Sequence, residues 1–545
     1  MHRLILTVTG LLLWLPLLAG LLLLLGQGLT PAPWLRLLVQ PGLWTSIGLS
    51  LWTALASSLI SLLLVALLLA HGEGRGLALL RRLLSPLLAM PHVAFAIGFA
   101  FLIAPSGWLL RLISPALTGF VLPPDWQTLH DPWGLGLIAL LVLKETPFLL
   151  LMALGALDPA LTARQQWLGQ SLGFRPPQIW WRLILPSLWP SLRLPLYAVA
   201  AYGLAVVDLA LLLGPTQPAP LAVRLWRWYQ DPDLHWRPLA NHGALLLFGL
   251  NLLLLALLRA LEWAHLHWGK GLMLDGRRQT SPSRLAPALA LILTTLLLAT
   301  NLLVLAALLL WSLTRRWPFP APWPSQWSGH HWQQAMAELA QPLAHSAWLA
   351  LLSALLALVL VVLALEAQRG RRPWPLWLIC LPLLLPQASL LFGVRLGADW
   401  LGLPVGMGLV FWSQLLFVYP YVYLCLYGPY RQFDDRLTQA AATLGARPWQ
   451  AWWRVKGPLL LRPLAFACAV GAAVSLAQYL PTLLFGAGRV ITLTTEAVAI
   501  GSGLNRRLAS LYGLLQLALP LLIYALALWL PHRAERASHQ LEPTP

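Results

Sequence analysis

Residues 291–310 read LILTTLLLATNLLVLAALLL, a run without a single charged side chain. About 20 apolar residues is the length at which an α-helix crosses the hydrocarbon core of a bilayer. LLLWLPLLAGLLLLLG at 11–26 is another such run, and further runs recur along the chain. In hydrocarbon every backbone N–H and C=O must find its partner within the protein, so only helices and closed barrels can span. The alternating ten-residue segments of a barrel are absent. The chain is therefore expected to be an all-α polytopic membrane protein. Composition agrees: of 545 residues, 59% are hydrophobic and 10% charged, where soluble domains carry about 25% charged residues.

Hydropathy places twelve spans. Six fall at 4–26, 43–70, 84–105, 134–156, 194–214 and 243–263, and six at 286–313, 346–367, 375–396, 405–427, 463–486 and 508–530. The polar, turn-rich stretch 269–285 separates a first unit, 1–268, from a second, 286–545. The N-terminal apolar run is longer than a secretory h-region and lacks a small-x-small cleavage site, so it is expected to stay as a helix.

The net charge of +18 does not call for nucleic acid as a partner. With both termini cytoplasmic, 24 of the 36 Lys and Arg fall on the inside, among them Arg75, Arg81, Arg82, Arg277, Arg278, Arg369, Arg371 and Arg372. That bias is the positive-inside pattern of a protein in a cytoplasmic membrane. Cys380, Cys425 and Cys468 lie in apolar runs and read as small core residues.

The two units resemble each other in order. MPHVAFAIG at 90–98 matches LPQASLLFG at 385–393, and Gly134-Leu135-Gly136 matches Gly406-Met407-Gly408. LGFRPPQIWWRLILP at 172–186 shares nine of fifteen positions with LGARPWQAWWRVKGP at 444–458. Six spans per unit keep the orientation, which makes this a parallel pseudo-twofold duplication, one of the known transporter symmetries. Both WW segments fall between the fourth and fifth spans, on the cytoplasmic side. Each pairs a turn glycine, Gly173 or Gly445, with a proline suited to a helix start, and mixes Trp180-Trp181 or Trp452-Trp453 with Arg175 or Arg447. Such a piece suits an interfacial anchor or a docking helix. Pro186 or Pro458 is expected to separate it from the next span.

These segments resemble the cytoplasmic EAA loop of ATP-binding-cassette importer permeases, which runs Glu-Ala-Ala, three residues, Gly, and then a hydrophobic-Leu-Pro ending. The second copy reads Gln439-Ala440-Ala441-Ala442-Thr443-Leu444-Gly445 and the first Trp167-Leu168-Gly169-Gln170-Ser171-Leu172-Gly173. Neither carries the leading Glu, and the first has about four extra residues after Asp158. The resemblance covers the chain as two fused units, in the manner of ferric-iron and thiamine permeases. It implies coupling helices that seat in two separate ATPase subunits, where ATP-Mg binds, and a periplasmic binding protein that delivers the solute. No G-x-x-x-x-G-K-[ST] sequence occurs, so no nucleotide or other cofactor is expected in this chain.

Lys144-Glu145 lies mid-span, where an ionisable group costs roughly 2.5–3.5 kcal/mol unless partnered. The two need not pair with each other, and the functional reading is a pathway or gate residue, the alternative a buried structural ion pair with another span. Asp208 and Gln478 fall in the fifth span of their units. The resemblance makes them, with Tyr202 and Tyr479, candidate pathway residues, with interhelical hydrogen bonding as the alternative. The 13 histidines show no metal-ligand spacing, and no nucleophile–base or paired-carboxylate constellation argues for an enzyme. The expected function is the permease of an ATP-driven importer, the alternative an ion-coupled twelve-helix transporter. The solute stays open among thiamine, iron, other anions and polyamines. Orientation is testable: a green-fluorescent fusion after Pro545 should fluoresce, and a phosphatase fusion after Ser325 should be active. The reverse pattern would invert the topology.

Overall fold

The computed structural model describes residues 7–71, 75–274, 285–369, 374–503 and 505–539. The helices used below are, in the first half, α1 (Thr7–Gln27), α2 (Leu43–His71), α3 (Arg75–Ala89), α4 (His92–Ile103), α5 (Leu135–Ala156), α6 (Pro159–Ser171), α7 (Pro176–Ala205), α8 (Asp208–Leu213), α9 (Leu221–Gln230) and α10 (Arg237–Leu274). Those in the second are α11 (Leu285–Ser312), α12 (His330–Ala367), α13 (Gln387–Trp400), α14 (Met407–Gln432), α15 (Arg436–Thr443), α16 (Pro448–Leu459), α17 (Leu461–Leu476), α18 (Leu480–Gly486), α19 (Leu493–Gly501) and α20 (Arg506–His539). Among the described residues ten helices are long and apolar enough to cross a membrane, and the bent pair α16–α17 brings the number to eleven when it is counted as one span. The protein is an all-α polytopic membrane protein. Among the described residues its strands are confined to a hairpin, Thr314–Arg316 against Gln326–Trp327, in the loop before α12.

Four expected spans are not continuous. The span at 84–105 stops at Ala89 and restarts at His92, and that at 375–396 restarts at Gln387. Pro91 and Pro386 lack an N–H and push the residue before them out of the helical region. The spans at 194–214 and 463–486 break at Val206–Val207 and Ala477–Tyr479. Side chains take over carbonyls freed near three of the breaks. Lys144 Nζ donates to Met90 O at 2.7 Å and Leu87 O at 3.2 Å. Asn251 Nδ2 donates to Leu384 O at 2.8 Å, and the Thr494 hydroxyl donates to Leu476 O. Of the expected linker 269–285, residues 275–284, with Arg277 and Arg278, lie outside the described residues, as do Arg371 and Arg372.

The two halves exchange their first helices. α1 packs against α13 of the second half, and α11, the first helix of the second half, packs against α4 of the first. Each crossing is made at a glycine. A Cβ on Gly20 would stand 2.6 Å from Val394 N, and one on Gly98 would stand 2.7 Å from Val304 Cγ1. Gly98 and Gly393, which meets Gly20, are the last residues of the matched segments MPHVAFAIG and LPQASLLFG. Small residues let helices approach closely in lipid, where packing rather than water drives association. Gly98→Leu or Gly393→Leu should therefore destabilise by at least the overpacking cost of about 1–3 kcal/mol. A lowered unfolding temperature in detergent would show it. Gly48→Leu, where a Cβ meets nothing within 4 Å, should leave that temperature unchanged.

Candidate functional site

Both WW segments fold alike. α6 and α15 end in a left-handed glycine, Gly173 at φ 78° and Gly445 at φ 87°. The following amides close a Schellman-type cap, with Phe174 N–H on Gly169 O at 2.9 Å and Ala446 N–H on Ala441 O at 3.0 Å. The next helix starts at a proline. Gln178 and Gln450 side chains accept from the Arg175 and Arg447 backbone N–H at 3.3 and 2.9 Å. A π turn then occupies Trp180–Ile184 in one copy and Trp452–Lys456 in the other.

That turn corrects the expected role of the first closing proline, Pro186. Leu185 N–H reaches back to Trp180 O and Gly457 N–H to Trp452 O. The widened turn accommodates a proline ring that would otherwise strike a carbonyl one turn back. Pro186 consequently lies inside α7, which runs unbroken to Ala205. In the second copy helix continues past Pro458 to Leu459, and the chain bends by 78° before α17.

In each tryptophan pair the first ring turns inward and the second outward. Trp180 is half-buried and Trp181 39% exposed; Trp452 is half-buried and Trp453 67% exposed. Leu172, Leu444 and Trp449 are exposed on the same segments, Leu444 at 89%. Gln439 and Ala440 are also exposed, with Ala441 half-buried.

The second segment is clamped by α12, which sequence inspection missed. Lys456 Nζ lies 2.6 Å from Glu366 Oε1, and Trp452 Nε1 donates to the same oxygen at 3.1 Å. The ammonium also faces the rings of Tyr430 and Phe433, at 4.5 and 5.3 Å. Arg369 pairs with Asp435 at 2.6 Å and donates to Thr438 Oγ1 at 2.8 Å. A cavity of about 280 Å³ remains between these groups and Gln439, Ala442 and Pro448. On the first segment Arg182 lies over Phe174 at 5.2 Å, and Ile179 fills the space beside Gly169.

A central polar cluster forms at the helix breaks. Glu145 accepts from or is paired with His92 Nε2 at 3.2 Å, and the His92 and Tyr202 rings meet edge to face at 5.5 Å. Asp208 begins α8 directly after a break and lies within electrostatic reach of His92, Tyr202 and Tyr479. Glu145 likewise reaches Tyr421 of α14. Gln478 accepts from Gln387 Nε2 at 3.2 Å. The cluster thus joins residues of both halves.

Glu145, Tyr202, Asp208, Gln478 and Tyr479 belong to this central polar region. Lys144 turns away from Glu145, caps the end of α3 and covers the Phe95 ring at 5.5 Å. His92, Gln387 and Tyr421 were missed. His92 and Gln387 each follow the proline of a matched segment, a signal present in MPHV and LPQA. His330 and His331 stand 6.2 Å apart in ring centroids, and no group of three His, Cys, Asp or Glu suited to a metal occurs among the described residues.

No family model matches the chain. Over 517 residues, 94% of this chain and 93% of the relative, it is 35% identical to the inner membrane ABC transporter permease protein YnjC of Escherichia coli. It is 31% identical over 184 residues to the molybdenum transport system permease protein ModB of Mycobacterium tuberculosis, a match covering 31% of this chain and 68% of that one. The same figures hold for ModB of Mycobacterium bovis.

Breaking the clamp on the second segment should be costly. Glu366→Ala strands the Lys456 ammonium, a loss of roughly 3 kcal/mol for a buried pair. A lower unfolding temperature is expected, with Lys456→Met restoring part of it in the double variant.

Proposed function

The chain belongs to the permease family of ABC transporters, and we propose that it forms the whole transmembrane pathway of an importer from two fused permease units, 1–268 and 286–545. It is a multi-pass inner-membrane transport subunit. Two separate ATPase subunits seat on the segments around Gly173 and Gly445, bind ATP-Mg, and rock the halves between inward- and outward-facing states. A periplasmic binding protein delivers a small solute at the opposite end, and both termini are cytoplasmic. The solute passes along the central cluster of Glu145, Tyr202, Asp208, Gln478 and Tyr479.

The observation that carries this proposal is the paired fold of the two segments. Each joins a left-handed glycine, a proline-started helix and a π turn to an outward tryptophan and an exposed leucine. A lipid anchor needs only an amphipathic helix. The same compact unit built twice, each time on the helix that leads to a central break, suits transmission of a movement. An ion-coupled transporter has no use for it, and the full-length relative is an ABC permease.

The proposal is tested by co-expression with the ATPase and binding protein of the same transport system. Trp181→Asp with Leu172→Asp, and Trp453→Asp with Leu444→Asp, should each weaken ATPase co-purification, and together abolish it. ATP-dependent uptake should fall at least about tenfold, an effect of roughly 1.4 kcal/mol, while the chain still elutes as a folded species. An ATPase complex that survives all four changes would refute docking at these segments.

A further inference from the structure

Asp208 is a carboxylate inside the bundle with no ion pair to hold it among the described residues. It stands at the first position of α8, deep in the bundle, yet retains accessible surface. Among the described residues no Lys, Arg or His lies within ion-pair distance of it; His92 stands within electrostatic reach, and the backbone N–H of Leu209 hydrogen-bonds it. The nearby basic side chains are otherwise engaged: His92 is held on Glu145, and Lys144 is directed at the Leu87 and Met90 carbonyls. Lys144 is also the cation that offsets Glu145, its neighbour in sequence. From the other elements packed around this point come Tyr202, Tyr421, Tyr479, Gln387 and Gln478, none of them cationic.

An unpaired carboxylate at this depth is expensive unless water or a ligand meets it. His92, Tyr202, Asp208, Tyr421 and Tyr479 are all half-buried rather than sealed. Retained surface of this kind is what side chains bordering an internal space would show. A carboxylate among tyrosine rings attracts positive charge twice over, by Coulomb force and by cation–π contact. No three metal-ligating groups converge among the described residues, so a chelated metal ion does not suit this space. An oxyanion would meet both Asp208 and Glu145.

We propose that Asp208 makes the pathway selective for a solute bearing an organic cation, whose charged group passes between this carboxylate and the rings of Tyr202, Tyr421 and Tyr479. The proposal rests on the central cluster being the pathway. It places a filter for charge in the permease itself, in addition to whatever selection the binding protein makes.

Charged thiol reagents test both levels without knowledge of the solute. Cys380, Cys425 and Cys468 are replaced by Ala in the full chain, and Tyr479→Cys supplies a reporter thiol, with Tyr421→Cys as a second. Leu117→Cys, at a position 82% exposed, gives the reference. The detergent-purified protein is treated with methanethiosulfonates carrying either trimethylammonium or sulfonate. The ratio of cationic to anionic reaction rates at the reporters should exceed the reference by about tenfold, the scale of electrostatic focusing in a cleft. Adding Asp208→Asn should bring it back to the reference ratio. Reaction without cation preference, or preference that survives Asp208→Asn, overturns the proposal and leaves the pathway standing. Reporters that react only after denaturation overturn the pathway as well.

Discussion

A peptide group in hydrocarbon has no water to turn to, and every departure from helix in this protein has to answer that constraint. Lys144, Asn251 and Thr494 each donate to a carbonyl freed near a break. The donors come from other helices, so each break is also a tertiary contact. The polar groups gathered at these points produce the central cluster, because His92, Gln387, Asp208 and Gln478 all sit at or beside a break. Discontinuity and polarity are thus one feature. A continuous helix would hide its backbone and leave less room for side chains that need partners.

Much of this was legible in the chain. Apolar run length places the spans, and the pairing of MPHVAFAIG with LPQASLLFG points to a special third helix in each half. What hydropathy misses is the break inside a run. Averaging over a window of span length hardly registers Pro91, Pro386 or the polar pair Gln478-Tyr479. Contacts between distant positions are equally invisible: Glu366 with Lys456, and Glu145 with His92, join residues whose spacing carries no local pattern. Lys144 shows the limit most clearly. Its depth is readable from the sequence, whereas its choice of two carbonyls over Glu145 depends on where α3 ends.

The glycines of the matched segments gain their meaning from the exchange of first helices. Gly98 and Gly393 lie on helices of opposite halves, and each is crossed by the first helix of the other half. Neither half can move without carrying a helix of its partner along. Trp412 Nε1 bonding Leu12 O at 3.1 Å, and Ser389 Oγ bonding Ala244 O at 2.7 Å, add polar ties across the same boundary. Under the proposed coupling, relative motion is then rocking about shared crossings rather than separation.

The two WW segments share a fold and differ in how they join the bundle. The first runs into the membrane as the single helix α7, from Pro176 to Ala205, and its far end is the break before Asp208. A helix rises 1.5 Å per residue and transmits a tilt along its length, so displacement at Ile179 is felt at Tyr202. The second turns through 78° before α17 and is held near that bend by Lys456 on Glu366. There the same displacement is shared with α12. Under the proposed coupling, the first half receives the stroke as a lever and the second as a hinged pair. Asp208 lies at the end of the lever, so the charge in the pathway is placed where the transmitted motion is largest.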